Sequence, residues 1–114
     1  MNYKIEILEP TYEFISSLET KFRAKTYRTI ELLKEFGPFL KEPHSKSIKG
    51  HKGLFELRVQ FGNNILRLFY FHHKTSLYII TSGYIKKEQK TDKNQILKAL
   101  DLMKSYLEQD HEKD

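Results

Sequence analysis

Apolar and polar positions alternate with period two, then with period three to four, then with period two again along this chain. Tyr3, Ile5 and Ile7 alternate with Lys4 and Glu6, which predicts a short strand with one wet face. Pro10-Thr11 then opens a helix, with Thr11 as cap or Pro10 just ahead of it, carrying Phe14, Ile15 and Leu18. A second helix from about Thr20 carries Tyr27, Ile30 and Leu33, and Gly37-Pro38 stops it. Ser47-Ile48-Lys49 is a candidate short strand. Over residues 54–61, Phe55, Leu57, Val59 and Phe61 define one face and Leu54, Glu56, Arg58 and Gln60 the other. Gly62-Asn63 marks a hairpin turn into Ile65–Phe71, and His72-His73-Lys74-Thr75 turns the chain again into Leu77–Ile85. A last helix starts near Thr91, with Asp92 and Gln95 placed for a capping box and Ile96, Leu100, Met103 and Leu107 as its buried stripe. The predicted order is β-α-α-β-β-β-β-α, an α+β domain with a largely antiparallel sheet. Residues 1–107 form one domain, and the acidic segment 108–114 is expected to fray.

The 114 residues suffice for one core, and 39% apolar with 13% aromatic residues mark a globular chain. Charge changes the picture. The net +5 is concentrated in residues 41–90, which carry +7, against zero for residues 1–40 and −2 for residues 91–114. Such a concentration is a footprint for an anionic partner. Cysteine is absent, which excludes disulfides and thiolate metal sites and suits a reducing cytoplasm. The start of the chain has no apolar signal region and no apolar run approaches spanning length, so a cytoplasmic protein without a membrane role is expected.

Candidate chemistry gathers at one end of the predicted sheet. A two-residue loop at Gly62-Asn63 pairs Phe61 with Asn64 and sets Arg58 directly opposite Arg67; a four-residue loop keeps both on one face. Like charges so placed cost roughly 0.2–1 kcal/mol. Two readings account for the pair. A phosphate lies between two guanidinium forks, or Glu56 on the same face neutralises them in an ion-pair network. On the first reading, removing Arg67 relieves a repulsion and leaves stability unchanged or raised. Lys86, Lys87 and Lys90 lie where the last strand leaves the sheet and a helix begins, a place unfavourable to cations unless an anion is also bound. His51 and Lys52, between Gly50 and Gly53, could approach the arginine face. No metal-ligand motif, phosphate loop or nucleophile triad can be assembled, so no metal or cofactor is expected.

Gly53-Leu54-Phe55-Glu56-Leu57-Arg58, Arg67-Leu68-Phe69-Tyr70 and Gly83-Tyr84-Ile85-Lys86-Lys87 with Lys90-Thr91 carry a family likeness over Tyr3 to Tyr106. The chain resembles the HigB branch of the RelE/ParE-type toxins, including its phage-derived members. The resemblance implies the RelE-like α+β fold and a toxin of a type II toxin–antitoxin pair that cleaves mRNA on the translating ribosome without metal. It implies a helix-turn-helix antitoxin (HigA-like) as partner. Residue by residue, Arg58, Arg67, Lys86, Lys87 and Lys90 fall on the family's catalytic cations. Tyr84 falls on the aromatic position beside them, and His51, Lys52 and Glu56 are added as nucleic-acid-binding candidates. Tyr84 stands where the family usually has Phe, and Asp92 where it usually has Pro. The alternatives are a ParE-like gyrase inhibitor and a non-catalytic nucleic-acid-binding domain.

Overall fold

The computed structural model describes the backbone of residues 2–113 and the side chains of residues 2–109. Five strands form one sheet in the order β1-β5-β4-β3-β2: β1 Lys4–Ile7, β2 Ser45–Ser47, β3 Phe55–Phe61, β4 Asn64–His73 and β5 Leu77–Lys86. The chain-order neighbours from β2 to β5 pair antiparallel, and β1 lies parallel to β5 at the edge. Helices α1 (Glu9–Ser16) and α2 (Thr20–Phe36) cover one face and α3 (Lys93–Lys113) the other. The element order is the one the periodicity predicts. The fraying expected for residues 108–114 concerns positions that, from 110 onward, lie outside the described side chains. Among the described residues no helix is long and apolar enough to cross a membrane.

Two apolar layers hold the sheet. Ile15 of α1 and Phe22, Ile30 and Leu33 of α2 pack on Leu57, Val59, Leu66, Leu68, Tyr70, Tyr78 and Ile80. On the opposite face Ile48, Leu54, Phe69 and Ala99 are buried, with Tyr84, Ile96, Leu100 and Met103 against them. Tyr78, Ile80 and Tyr84 are all even-numbered on one strand, yet Tyr84 faces away from the other two. The cause is a bulge: Phe69 pairs with Ser82 but Tyr70 with Ile80, so Thr81 is passed over. One extra residue reverses the side-chain alternation beyond it. The reversal turns Tyr84 and Lys86 onto the face that carries Arg67. Beside it, Gly83 lies so close to β4 that a Cβ there would meet Leu68 Cδ2 at 2.5 Å and the Arg67 carbonyl oxygen at 2.9 Å.

Four boundaries depart from the sequence reading. His72 and His73, expected in the second turn, are the last residues of β4 and pair with Tyr78 and Leu77, so the turn is confined to 74–76. Helix α1 begins at Glu9 with Leu8 as its cap, and Thr11 lies inside it, donating its hydroxyl to the Thr81 carbonyl at 2.9 Å. A threonine bonded across to the sheet is not free to cap its own helix. β2 falls on Ser45–Ser47, two residues earlier than expected, because Ser45 and Ser47 pair with Leu57 and Phe55 while Ile48 enters the second core. At α3, the Asp92 carboxylate accepts from the Asn94 N–H at 2.8 Å, as a cap should, but the Asp92 N–H donates to the Tyr84 hydroxyl at 2.7 Å rather than completing the box with Gln95.

Tyr78 gives the first layer a pH signature. Burial, with Tyr70 and Tyr3 beside it, pushes its phenol up to about 12. A raised folded-state value means the native protein holds the proton more tightly than the unfolded chain, whose tyrosines titrate near ~10. Stability from this group is therefore complete below pH ~10 and lost as pH rises from there to about 12. Denaturant titrations across that range should show the loss, and Tyr78→Phe should make the decline shallower.

Candidate functional site

The hairpin β3–β4 turns through Gly62-Asn63 with Phe61 opposite Asn64, and Arg58 stands directly opposite Arg67. Gly62 takes φ +62°, the backbone a tight two-residue hairpin needs at its first central position. Glu56, two residues before Arg58 on the same face, lies between the guanidinium groups. Its Oε1 accepts from Arg58 Nε at 2.6 Å, and its Oε2 lies 3.9 Å from Arg67 Nε. The Thr91 hydroxyl donates to Oε2 at 2.9 Å. The counter-charge reading of Glu56 is thus the one the structure holds.

Arg67 corrects the sequence reading in a second way. It is 0% exposed, as is Glu56, so it is no open phosphate fork. The segment 87–92 folds back over it, and Arg67 Nη2 donates to the carbonyls of Glu88 and Gln89, each at 2.6 Å. Arg58, whose side chain stays 20% exposed, donates from Nη2 to the same Gln89 carbonyl at 3.0 Å. Both arginines therefore hold one strap of main chain in place. Arg67 Nε and Nη1 are buried without a hydrogen-bond partner. Buried guanidinium N–H groups left unpaired are costly, and each is worth more when an acceptor reaches it.

Around this core the lysines stand free. Lys86 is half-buried at the end of β5, paired with Ile65, one step diagonal from the Arg67–Tyr84 pair. Lys87 and Lys90 are exposed on the strap, flanking the two carbonyls that the arginines hold. Among the described residues none of these three has a hydrogen-bond or ion-pair partner. Tyr84 is half-buried, its ring stacked on Phe69 at 6.1 Å and 11°, with the Arg67 guanidinium carbon 5.8 Å from the ring centroid. Its hydroxyl accepts the α3 cap N–H described above, so Tyr84 couples the strand, the buried arginine and the helix start.

His51 and Lys52 do not join the cluster. They occupy the turn before β3, where Gly53 lies beside Met103 of α3. From Phe55 to Arg58 alone the strand covers about 10 Å. The groups that sequence reasoning missed are the Glu88 and Gln89 carbonyls and the Gln89 side chain, whose Oε1 lies 3.4 Å from Arg58 Nη1. Main-chain acceptors leave no mark in a sequence. Among the described residues no group of three His, Cys, Asp or Glu side chains converges on a point that could hold a metal ion.

A five-stranded sheet with a helical hairpin on one face, and a cationic corner where β5 runs into the last helix, defines a RelE-like α+β domain. Several solved structures share the fold. Among them are a double mutant of the Escherichia coli toxin RelE in the free state (15% identity, 73% of this chain and 82% of that one, TM-score 0.57), the archaeal RelE–RelB complex from Pyrococcus horikoshii OT3 (18%, 79% and 100%, 0.59), and the RelB–RelE antitoxin–toxin complex from Methanococcus jannaschii (14%, 69% and 87%, 0.51). The model of the phage-derived Gp49-like proteins (DUF891) matches residues 13–104, and the chain belongs to that family. No curated protein matches the sequence.

Proposed function

We propose that this protein is the toxin of a type II toxin–antitoxin pair, of the HigB kind, and an endoribonuclease that cuts mRNA on the translating ribosome. The observation that carries the reading is the corner itself. Two arginines are locked in register across a hairpin, with three partnerless lysines beside them, on a fold shared with RelE toxins. Attack of a 2′-hydroxyl on the adjacent phosphorus builds negative charge on the non-bridging oxygens, and fixed cations aimed there supply the largest catalytic contribution. Arg58, already partly exposed, meets the phosphate first. Arg67 joins when the strap 87–90 yields, exchanging two carbonyl acceptors for phosphate oxygens. Lys86, Lys87 and Lys90 draw in the RNA backbone and neutralise it. The ribosome supplies the substrate orientation that so sparse a site lacks.

The partner is a HigA-like helix-turn-helix antitoxin encoded beside the toxin. Induced expression in bacteria tests the whole reading. Growth should stop, translated mRNAs should be cut, and co-expression of the neighbouring gene should restore growth. Inhibited DNA supercoiling with intact mRNA would instead assign the protein to the gyrase-poisoning relatives.

A further inference from the structure

A cleft of about 580 Å³ opens beside Arg58. It exists because β2 is short: it pairs with Phe55–Leu57 only, so beyond Arg58 the edge of β3 has no strand neighbour. The segment before β2 closes one end, where the Arg58 N–H donates to the His44 carbonyl at 2.9 Å. Helix α2 closes the other, where the Lys25 ammonium donates to the Gln60 carbonyl. Pro43, Val59 and Ile65 give the cleft an apolar lining, and the polar groups around it are Lys25, Thr29, Glu42, His44, Arg58, Gln60 and Gln89.

We propose that this cleft seats one unstacked nucleotide of the RNA strand, its phosphate at Arg58 and its base on the apolar floor. The proposal rests on the nuclease reading above and extends it from backbone contact to base contact. Its volume falls within the ~300–1,000 Å³ of small-ligand sites, enough for one nucleotide. Sequence-specific RNA recognition works on bases splayed out of the stack, laid against His or Arg planes and read along their edges by hydrogen bonds. His44 and Arg58 supply the planes. The amides of Gln60 and Gln89 and the Glu42 carboxylate supply donors and acceptors for an edge. Lys25 and Arg58 outweigh Glu42 in charge, so a phosphodiester is admitted. Arg58 is the shared wall: the same guanidinium borders the cleft and the Glu56–Arg67 cluster, so a base held here puts its phosphate next to the reacting corner.

The test is binding of nucleoside 5′-monophosphates to the full chain, followed by backbone amide shifts in NMR. Shifts centred on Lys25, His44 and Gln60 are expected, and the double variant His44→Ala/Gln60→Ala should weaken binding at least fivefold. Shifts confined to residues 86–90, or none at millimolar nucleotide, would overturn the proposal. This readout does not depend on cleavage. A wild-type protein that binds nucleotides in the cleft but cuts no RNA upholds the site and defeats the nuclease reading. In an active protein, sequencing of cut ends should show that the double variant cleaves with a flatter nucleotide preference. An unchanged preference would mean the cleft reads no base.

Discussion

Arg67→Ala is expected to abolish RNA cleavage and, at the same time, to destabilise the fold by about 2–4 kcal/mol. The first effect follows from the role proposed for the guanidinium in the reacting corner. The second follows from burial. Arg67 donates to the Glu88 and Gln89 carbonyls, and its Nε lies 3.9 Å from Oε2 of the fully buried Glu56 carboxylate. Removing it leaves the Glu88 carbonyl without its donor, the Gln89 carbonyl with Arg58 alone, and a buried anion held only by Arg58 and Thr91. The melting temperature should fall by roughly 10 °C or more. This reverses the sequence expectation that relieving a like-charge contact would be neutral or helpful. Assays run well below the lowered transition separate chemistry from unfolding. Arg67→Lys sharpens the point, because it keeps the charge but loses the planar fork that reaches two acceptors. It should recover part of the stability and little of the activity. An Arg67→Ala variant with wild-type stability would show that the strap does not depend on that side chain.

The triple variant Lys86→Gln/Lys87→Gln/Lys90→Gln should behave in the opposite way. The three ammonium groups have no partners among the described residues, and changes at such positions usually stay within about 0.5 kcal/mol. The melting temperature should therefore hold. RNA affinity should collapse, and its dependence on salt should flatten. On single strands each neutralised phosphate contributes about 0.7 to the slope of log K against log salt, so losing three contacts lowers the slope by about 2. A salt slope equal to wild type would mean the lysines are a solvated surface and the RNA lies elsewhere.

Much of this was legible in the sequence, and the parts that were not share a physical cause. The clean alternation over residues 54–61 and the Gly62-Asn63 turn put Arg58 and Arg67 on one face for a two- or a four-residue loop, and the two-residue loop found sets them directly opposite. Helix α2 and its Gly37 stop were equally plain, and at Gly37 (φ +52°) a Cβ would meet the Tyr3 ring at 2.2 Å. The bulge at Thr81 was not legible, since one residue passed over in a ladder changes no composition, yet it decides that Tyr84 and Lys86 face Arg67. Nor was the sealing of Arg67, which depends on carbonyls that every residue possesses. His51 looked close to the arginines because it is close in number; the extended strand between them carries it away.

In the proposed reaction, fixed cations at this corner drive attack of the RNA 2′-hydroxyl on its own phosphodiester. The end groups of RNA cut by the purified protein on translating ribosomes test it most directly. A 2′,3′-cyclic phosphate on the upstream fragment and a 5′-hydroxyl on the downstream one are predicted, with both lost in Arg58→Ala. A 3′-hydroxyl with a 5′-phosphate, or intact mRNA after ribosome treatment, would contradict it.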